Sequence, residues 1–298
     1  MTTLFRFLLA AIALTASIAF ADDALLKPFL LFSNGPGTIS DKSAAAESAL
    51  AAQGFAVAGR YEPYPGALIL VVTSPELLAN AAASEHGGFG AAQRVAFTQV
   101  GRDIQVSATN PRYMAQAYRM KGDLGGVADK LGAALGKGEP FGAKGLTAEQ
   151  LRRYHYMFGM EYFTDPSVLG HFASHEAALA AVEKGLAAHR TGVTRVARVD
   201  VPGGQETLFA VGMKAPEGGS KYMDDRFIMS EIDFRDVKST AHLPYELLVS
   251  GNDVLALYAR FRIAIDFPDL AMVGANSFVN IMQTPGAIET ALKETVSP

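Results

Sequence analysis

The chain has 298 residues, 26 basic against 30 acidic side chains, a formal charge of −4, and neither cysteine nor tryptophan. So mild a balance leaves no electrostatic footprint for nucleic acid. The missing thiols remove disulfides, thiolate catalysis, Cys-based zinc sites and iron–sulfur ligation together.

The first 21 residues read as a secretory signal. Arg6 supplies a short basic start, Phe7 to Phe20 is apolar, and Ala19-Phe20-Ala21 offers the small-x-small pattern of a cleavage site. The expectation is a mature chain from Asp22 that is periplasmic or secreted. No later apolar run is long enough for a bilayer, so no stable membrane span is expected after cleavage.

Ala24 to Phe32 then reads as an entry strand closed by Asn34-Gly35-Pro36-Gly37. Ser40 to Gln53 is an alanine-rich amphipathic helix, with Gly54 at its C-cap. Strands are expected over Phe55 to Glu62 and Ala67 to Thr73, around the turn Pro63-Tyr64-Pro65-Gly66. Ser74-Pro75 opens a helix through Ala83: serine accepts orphan backbone N–H groups, and proline in the first turn costs no hydrogen bond. Gln93 to Val100 and Asp103 to Ala108 form a hairpin around Gly101-Arg102. Asn110-Pro111 starts a helix through Met120, and Val127 to Leu135 is helical.

The same order returns after residue 171. Ser174 to Ala188 reads as a helix, Val193 to Val199 and Thr207 to Val211 as strands, and Tyr245 to Val249 with Val254 to Ile265 as a long hairpin. Thr284-Pro285 caps a last helix, Ala287 to Val296. Ala49 to Ala52 answers Ala178 to Ala181, Gly54 answers Gly185, and Asn110-Pro111 answers Phe267-Pro268. The spacing between these equivalents widens, which places an insertion at 214–242 in the second copy. A diverged internal duplication follows as the reading. Residues 22–137 form the first copy and 172–298 the second. A connector, 138–171, has a Thr147/Gln150 capping box that predicts a helix to about Phe163.

At this point the motifs resemble the domain of unknown function family 302 in tandem. His242-Leu243-Pro244-Tyr245 leading into a strand is similar to that family's Leu-Pro-Cys segment, and Phe267-Pro268 to its strand-ending proline. Thr73-Ser74-Pro75 is similar to its Cys-Asn-Pro helix start, and Gln53-Gly54-Phe55 to its Gly-Phe. The resemblance implies an α+β fold of two similar copies, each an antiparallel sheet backed by helices, and implies no established activity. Thr73 and Tyr245 stand where the family carries cysteine, so thiol or soft-metal chemistry does not carry over.

Three side-chain groups invite chemistry. Arg94 on a strand, with Asn110, Arg112, Tyr118 and Arg119 on and after the next helix, offers guanidinium forks and a helix start to an anionic ligand. Asn110 equally suits a helix cap. His155, Met157 and Met160 place imidazole and thioethers at helical spacing, the donor set of copper, though the same spacing suits core packing. His171 and His175 are four apart but lack the His-Glu-x-x-His order of a zinc helix. His86 to Gly90 is glycine-rich without the Gly-Lys-Ser/Thr ending of a phosphate loop, and no Gly-x-Ser-x-Gly elbow occurs. No motif calls for a cofactor. The expected function is a soluble binding or accessory protein of the bacterial envelope, its partner a small anionic molecule or an envelope protein. The alternatives are an enzyme acting in the groove between copies and a periplasmic copper carrier.

Overall fold

The computed structural model describes residues 24–189, 191–203 and 205–297. The signal segment expected at 1–21 lies outside them. No helix among the described residues is long and apolar enough to cross a membrane.

In chain order the elements are β1 (Phe29–Pro36), α1 (Ile39–Ala52), β2 (Ala56–Tyr61), β3 (Ala67–Thr73), α2 (Pro75–Ala82), β4 (Gln93–Val100), β5 (Asp103–Thr109), α3 (Pro111–Ala117) and α4 (Gly125–Leu135). Next come β6 (Glu139–Phe141), α5 (Ala148–Arg152), β7 (Ser167–His171), α6 (His175–Ala188), β8 (Val193–Asp200) and β9 (Glu206–Met213). The chain ends with α7 (Asp225–Ile232), β10 (Tyr245–Ser250), β11 (Asp253–Ala256), α8 (Ala259–Asp266) and α9 (Thr284–Val296).

Two antiparallel sheets result, ordered β2-β3-β4-β5-β1-β6 and β7-β11-β10-β9-β8. Apart from β6, which the connector adds beside β1, the second order is the first read in reverse, with β8, β9, β10, β11 and β7 standing for β2, β3, β4, β5 and β1. The fold is α+β, two similar copies of one helix-backed antiparallel sheet. Even the irregularities repeat: β2 bulges between Val57 and Gly59 against β3, and β8 between Arg195 and Ala197 against β9.

Four of the five expected helix starts are capped where the sequence puts them; the fifth, Thr284-Pro285, is not, since α9 begins at Thr284 itself after Gln283 and has no side-chain cap. Ser74 accepts from the Leu77 amide, Asn110 from Arg112 and Ser174 from Ala177, and Thr147 with Gln150 completes its reciprocal capping box. The Gln93–Val100 and Asp103–Thr109 hairpin pairs as expected. Other expectations are corrected. β1 runs through Asn34 to Pro36, because these residues pair with Gln105 to Asp103 of β5. The connector helix stops at Arg152, so 153–163 is irregular and places its side chains without helical periodicity. The stretch Val254 to Ile265 is a four-residue strand followed by α8. Consequently the counterpart of Asn110-Pro111 is Tyr258-Ala259, each pair starting the helix after the hairpin. α1 and α6 each have 14 residues and begin after Thr38 and Ser174, so Leu50 corresponds to Leu186, not Ala49 to Ala178. The extra residues of the second copy fall in two places, between β9 and α7 and between α8 and α9.

Each sheet turns one face to its own helices. Leu70, Phe97, Ile104 and Val106 pack with Leu50 of α1 and Val127 and Leu131 of α4, and Phe209, Val211, Leu247 and Val249 with Val182 of α6 and Ile288 and Leu292 of α9. The opposite faces meet each other, giving the layers helix, sheet, sheet, helix. The copies therefore share their interior: Leu208, Ala210 and Leu248 join the first core, and Phe29, Ile69 and Ala96 the second. At the crossing of β2 and β8, a Cβ on Gly59 would stand 2.1 Å from the Val196 carbonyl oxygen, so only glycine allows the approach.

Each copy also lends a short 3₁₀ turn to the other. Gly87–Gly90 lies on the second sheet, with the Gly88 amide donating to Glu206 Oε2 at 2.8 Å. Thr240–His242 lies on the first, where the Thr240 hydroxyl accepts from Thr98 at 2.8 Å.

Candidate functional site

Between the sheets lies a buried polar network. Arg94 of β4 reaches across to β10, donating from Nη1 to Glu246 Oε1 at 2.6 Å and from Nε to the Ala241 carbonyl at 2.8 Å. Arg262 of α8 is wholly buried; its Nη2 donates to the carbonyls of His242 at 2.6 Å and Pro244 at 2.5 Å. Its guanidinium lies 4.7 Å from the centre of the Tyr245 ring, a cation–π contact in a dry setting. The Tyr245 hydroxyl donates to the Leu257 carbonyl, so this residue is spent on packing.

His242 and Asp266 complete the cluster, with 2.6 Å between Nδ1 and Oδ2. Burial and the Arg262 charge push His242 down to about 4, against the opposing pull of Asp266. The ring is therefore neutral at pH 7, and the neighbours assign its tautomer: Nδ1–H donates to Asp266, and Nε2 accepts from Arg262 Nη1 at 3.2 Å. Burial opposes the charge of Asp266, but the His242 hydrogen bond and the two arginines hold its carboxyl below the ordinary value. Burial likewise opposes the charge of Arg94, yet Glu246 holds it above the usual arginine range. Two cations thus face two anions around a neutral imidazole.

A second feature opens to solvent. The β2–β3 turn, Pro63 to Gly66, stands beside α7 of the second copy, with a cleft of about 700 Å³ on one side and one of about 350 Å³ on the other. The larger is lined by Lys214 and Asp224, the smaller by Gln99, Asp233 and Lys238; Tyr64 and Arg226 border both. Asp224 is occupied as the N-cap of α7, accepting from the Phe227 amide and from Ala215. Asp233 accepts from the Ser239 amide, and burial pushes its carboxyl up to about 6. Lys214, Arg226 and Lys238 form no ion pair among the described residues. At the foot of the turn, Tyr61 donates to Asp225 Oδ2 at 2.6 Å, and burial raises Asp225 to about 7.

The five residues proposed for an anion do not form one site. Arg94 and Tyr118 turn inward to the network. Asn110 caps α3 and donates to the Lys27 carbonyl. Arg112 lies outside beside Asp123 and Asp129, and Arg119 follows α3 in the left-handed region with φ 48°. The copper set loses its helical premise: Met157 is exposed, His155 Nδ1 approaches the Met157 carbonyl at 2.9 Å, and the ring packs on Tyr162. No three His, Asp or Glu side chains gather as a metal cage among the described residues. His171 contacts Asp253 and His175 the Gly251 carbonyl, so both serve the β10–β11 turn. Sequence reasoning passed over Glu246, Arg262 and Asp266. The signal was present in Arg262 and Asp266, two charges inside the otherwise apolar stretch Phe261 to Phe267. Set against models of protein families, curated proteins and solved structures, the chain matches none.

Proposed function

We propose that the protein is an exported accessory protein of the bacterial cell envelope that binds a small anionic molecule beside the Pro63–Gly66 turn. The observation that carries this reading is the pair of clefts bordered by Lys214, Arg226 and Lys238: of the carboxylates in their lining, Asp224 and Asp233 are engaged by backbone amides, which leaves three cations against Glu62. A binding module needs only a shaped cleft with a few polar anchors. Catalysis in the groove between copies needs a reactive group open to substrate, whereas the His242–Asp266 pair is sealed and both ring nitrogens are taken. Descent from a duplicated ancestor like the domain of unknown function family 302 belongs to the same proposal, and the shared topology of the halves supports it.

Native mass spectrometry of protein purified from its envelope fraction tests the reading. A small retained mass that disappears in the double variant Arg226→Ala, Lys238→Ala is expected. A bare wild-type chain, or a mass that the variant keeps, overturns it.

A further inference from the structure

Three atoms of charged groups in the network are buried without a hydrogen-bond partner: Glu246 Oε2, Arg262 Nε and Asp266 Oδ1. Leaving such groups dry costs more than a typical hydrogen bond returns, and native proteins leave few of them so. Arg262 Nε and Glu246 Oε2 lie 3.7 Å apart, too far for direct donation and suited to a donor and acceptor sharing one bridging molecule.

One donor and two acceptors suit a single water: Arg262 Nε–H donates to it, and Glu246 Oε2 and Asp266 Oδ1 accept from it. Charge points the same way: Arg94 and Arg262 balance Glu246 and Asp266 with His242 neutral, so a bound cation or anion would stand uncompensated in a dry interior. We infer that one ordered internal water bridges Arg262 Nε and Glu246 Oε2 and reaches the free oxygen of Asp266, which shares a face of α8 with Arg262. Glu246 is paired with Arg94 of the first copy, so the water lies against the contact between the copies. Internal waters of this kind commonly hold two to four polar groups.

One measurement on the full chain tests it. A high-resolution crystal structure should show a water within about 2.6–3.2 Å of both Arg262 Nε and Glu246 Oε2. A dry gap, a direct Arg262 Nε–Glu246 Oε2 contact, or an ion at that place overturns the inference.

Discussion

Arg94 and Glu246 occupy the same position in the two copies and are each other's partner. Along the first sheet Gly59 stands opposite Val71, which stands opposite Arg94; along the second Ala197 stands opposite Ala210, which stands opposite Glu246. A residue beside the pseudo-twofold axis meets its own counterpart, so identical halves would have buried two like charges there. The copies differ at this position by a full reversal of sign, and the 2.6 Å ion pair 152 residues apart in sequence is the outcome.

Removing one partner of that pair should be costly. Glu246→Gln leaves Arg94 and Arg262 without their shared counter-charge and is expected to lose about 3–5 kcal/mol in urea unfolding. The double variant Arg94→Met, Glu246→Met should lose less than the two single methionine variants added together, with a coupling of about 1–3 kcal/mol. Strict additivity would show that the pair does not act as one unit.

The exposed arginine gives the contrasting case. Arg112 is 44% exposed and its partners Asp123 and Asp129 more so, which leaves their attraction screened by water. Arg112→Ala should change stability by less than about 1 kcal/mol under the same conditions, and raising salt should erase the difference.

Stability should respond to pH in two windows of opposite sign. Asp225 keeps its proton in the fold up to about 7, while the unfolded carboxyl loses it near 3.8, so its contribution falls as pH rises through that interval. His242 is the reverse: it stays neutral in the fold down to about 4, while the unfolded imidazole takes a proton near 6.5, so stability falls as pH drops through that interval. Asp225→Asn, which still accepts from Tyr61, should therefore gain on wild type between pH 5 and pH 8. Parallel urea curves at the two pH values read the change, and parallel losses in both proteins would refute the assignment.

Close approach at the crossing of the copies makes a glycine pair informative. Gly59→Ala places a methyl against the Val196 carbonyl, a backbone atom that cannot swing aside, and should cost about 2–4 kcal/mol. Gly132, inside α4 with open space around it, should gain up to about 1 kcal/mol on substitution by alanine. Thermal unfolding of both variants compares the two directly.

Local chemistry carried most of what the sequence revealed. Ser74-Pro75, Asn110-Pro111, Ser174 and Thr147 announce helix starts because a side-chain oxygen must sit two or three residues before the amide it satisfies. Val254 to Ile265 concealed its break because Leu255, Phe261 and Ile265 enter one core and Val254, Ala259 and Ile263 the other. A segment buried on every side loses the periodicity that separates strand from helix. Arg94 looked like an open anion fork for a related reason: the carboxylate that answers it comes from the other copy, and no local pattern reports a contact made only by tertiary folding. The clefts beside Pro63–Gly66 are equally non-local, since one wall is the turn of the first copy and the other is α7 of the second.

The exchange of 3₁₀ turns has a consequence for how the chain comes apart. Gly87–Gly90 roofs the second sheet and Thr240–His242 the first, so neither half can leave without stripping the other of hydrogen bonds and apolar cover. Loss of one half exposes apolar side chains on the inner face of its neighbour, Phe29, Ile69 and Ala96 or Leu208, Ala210 and Leu248, so the two should melt together in a single cooperative transition.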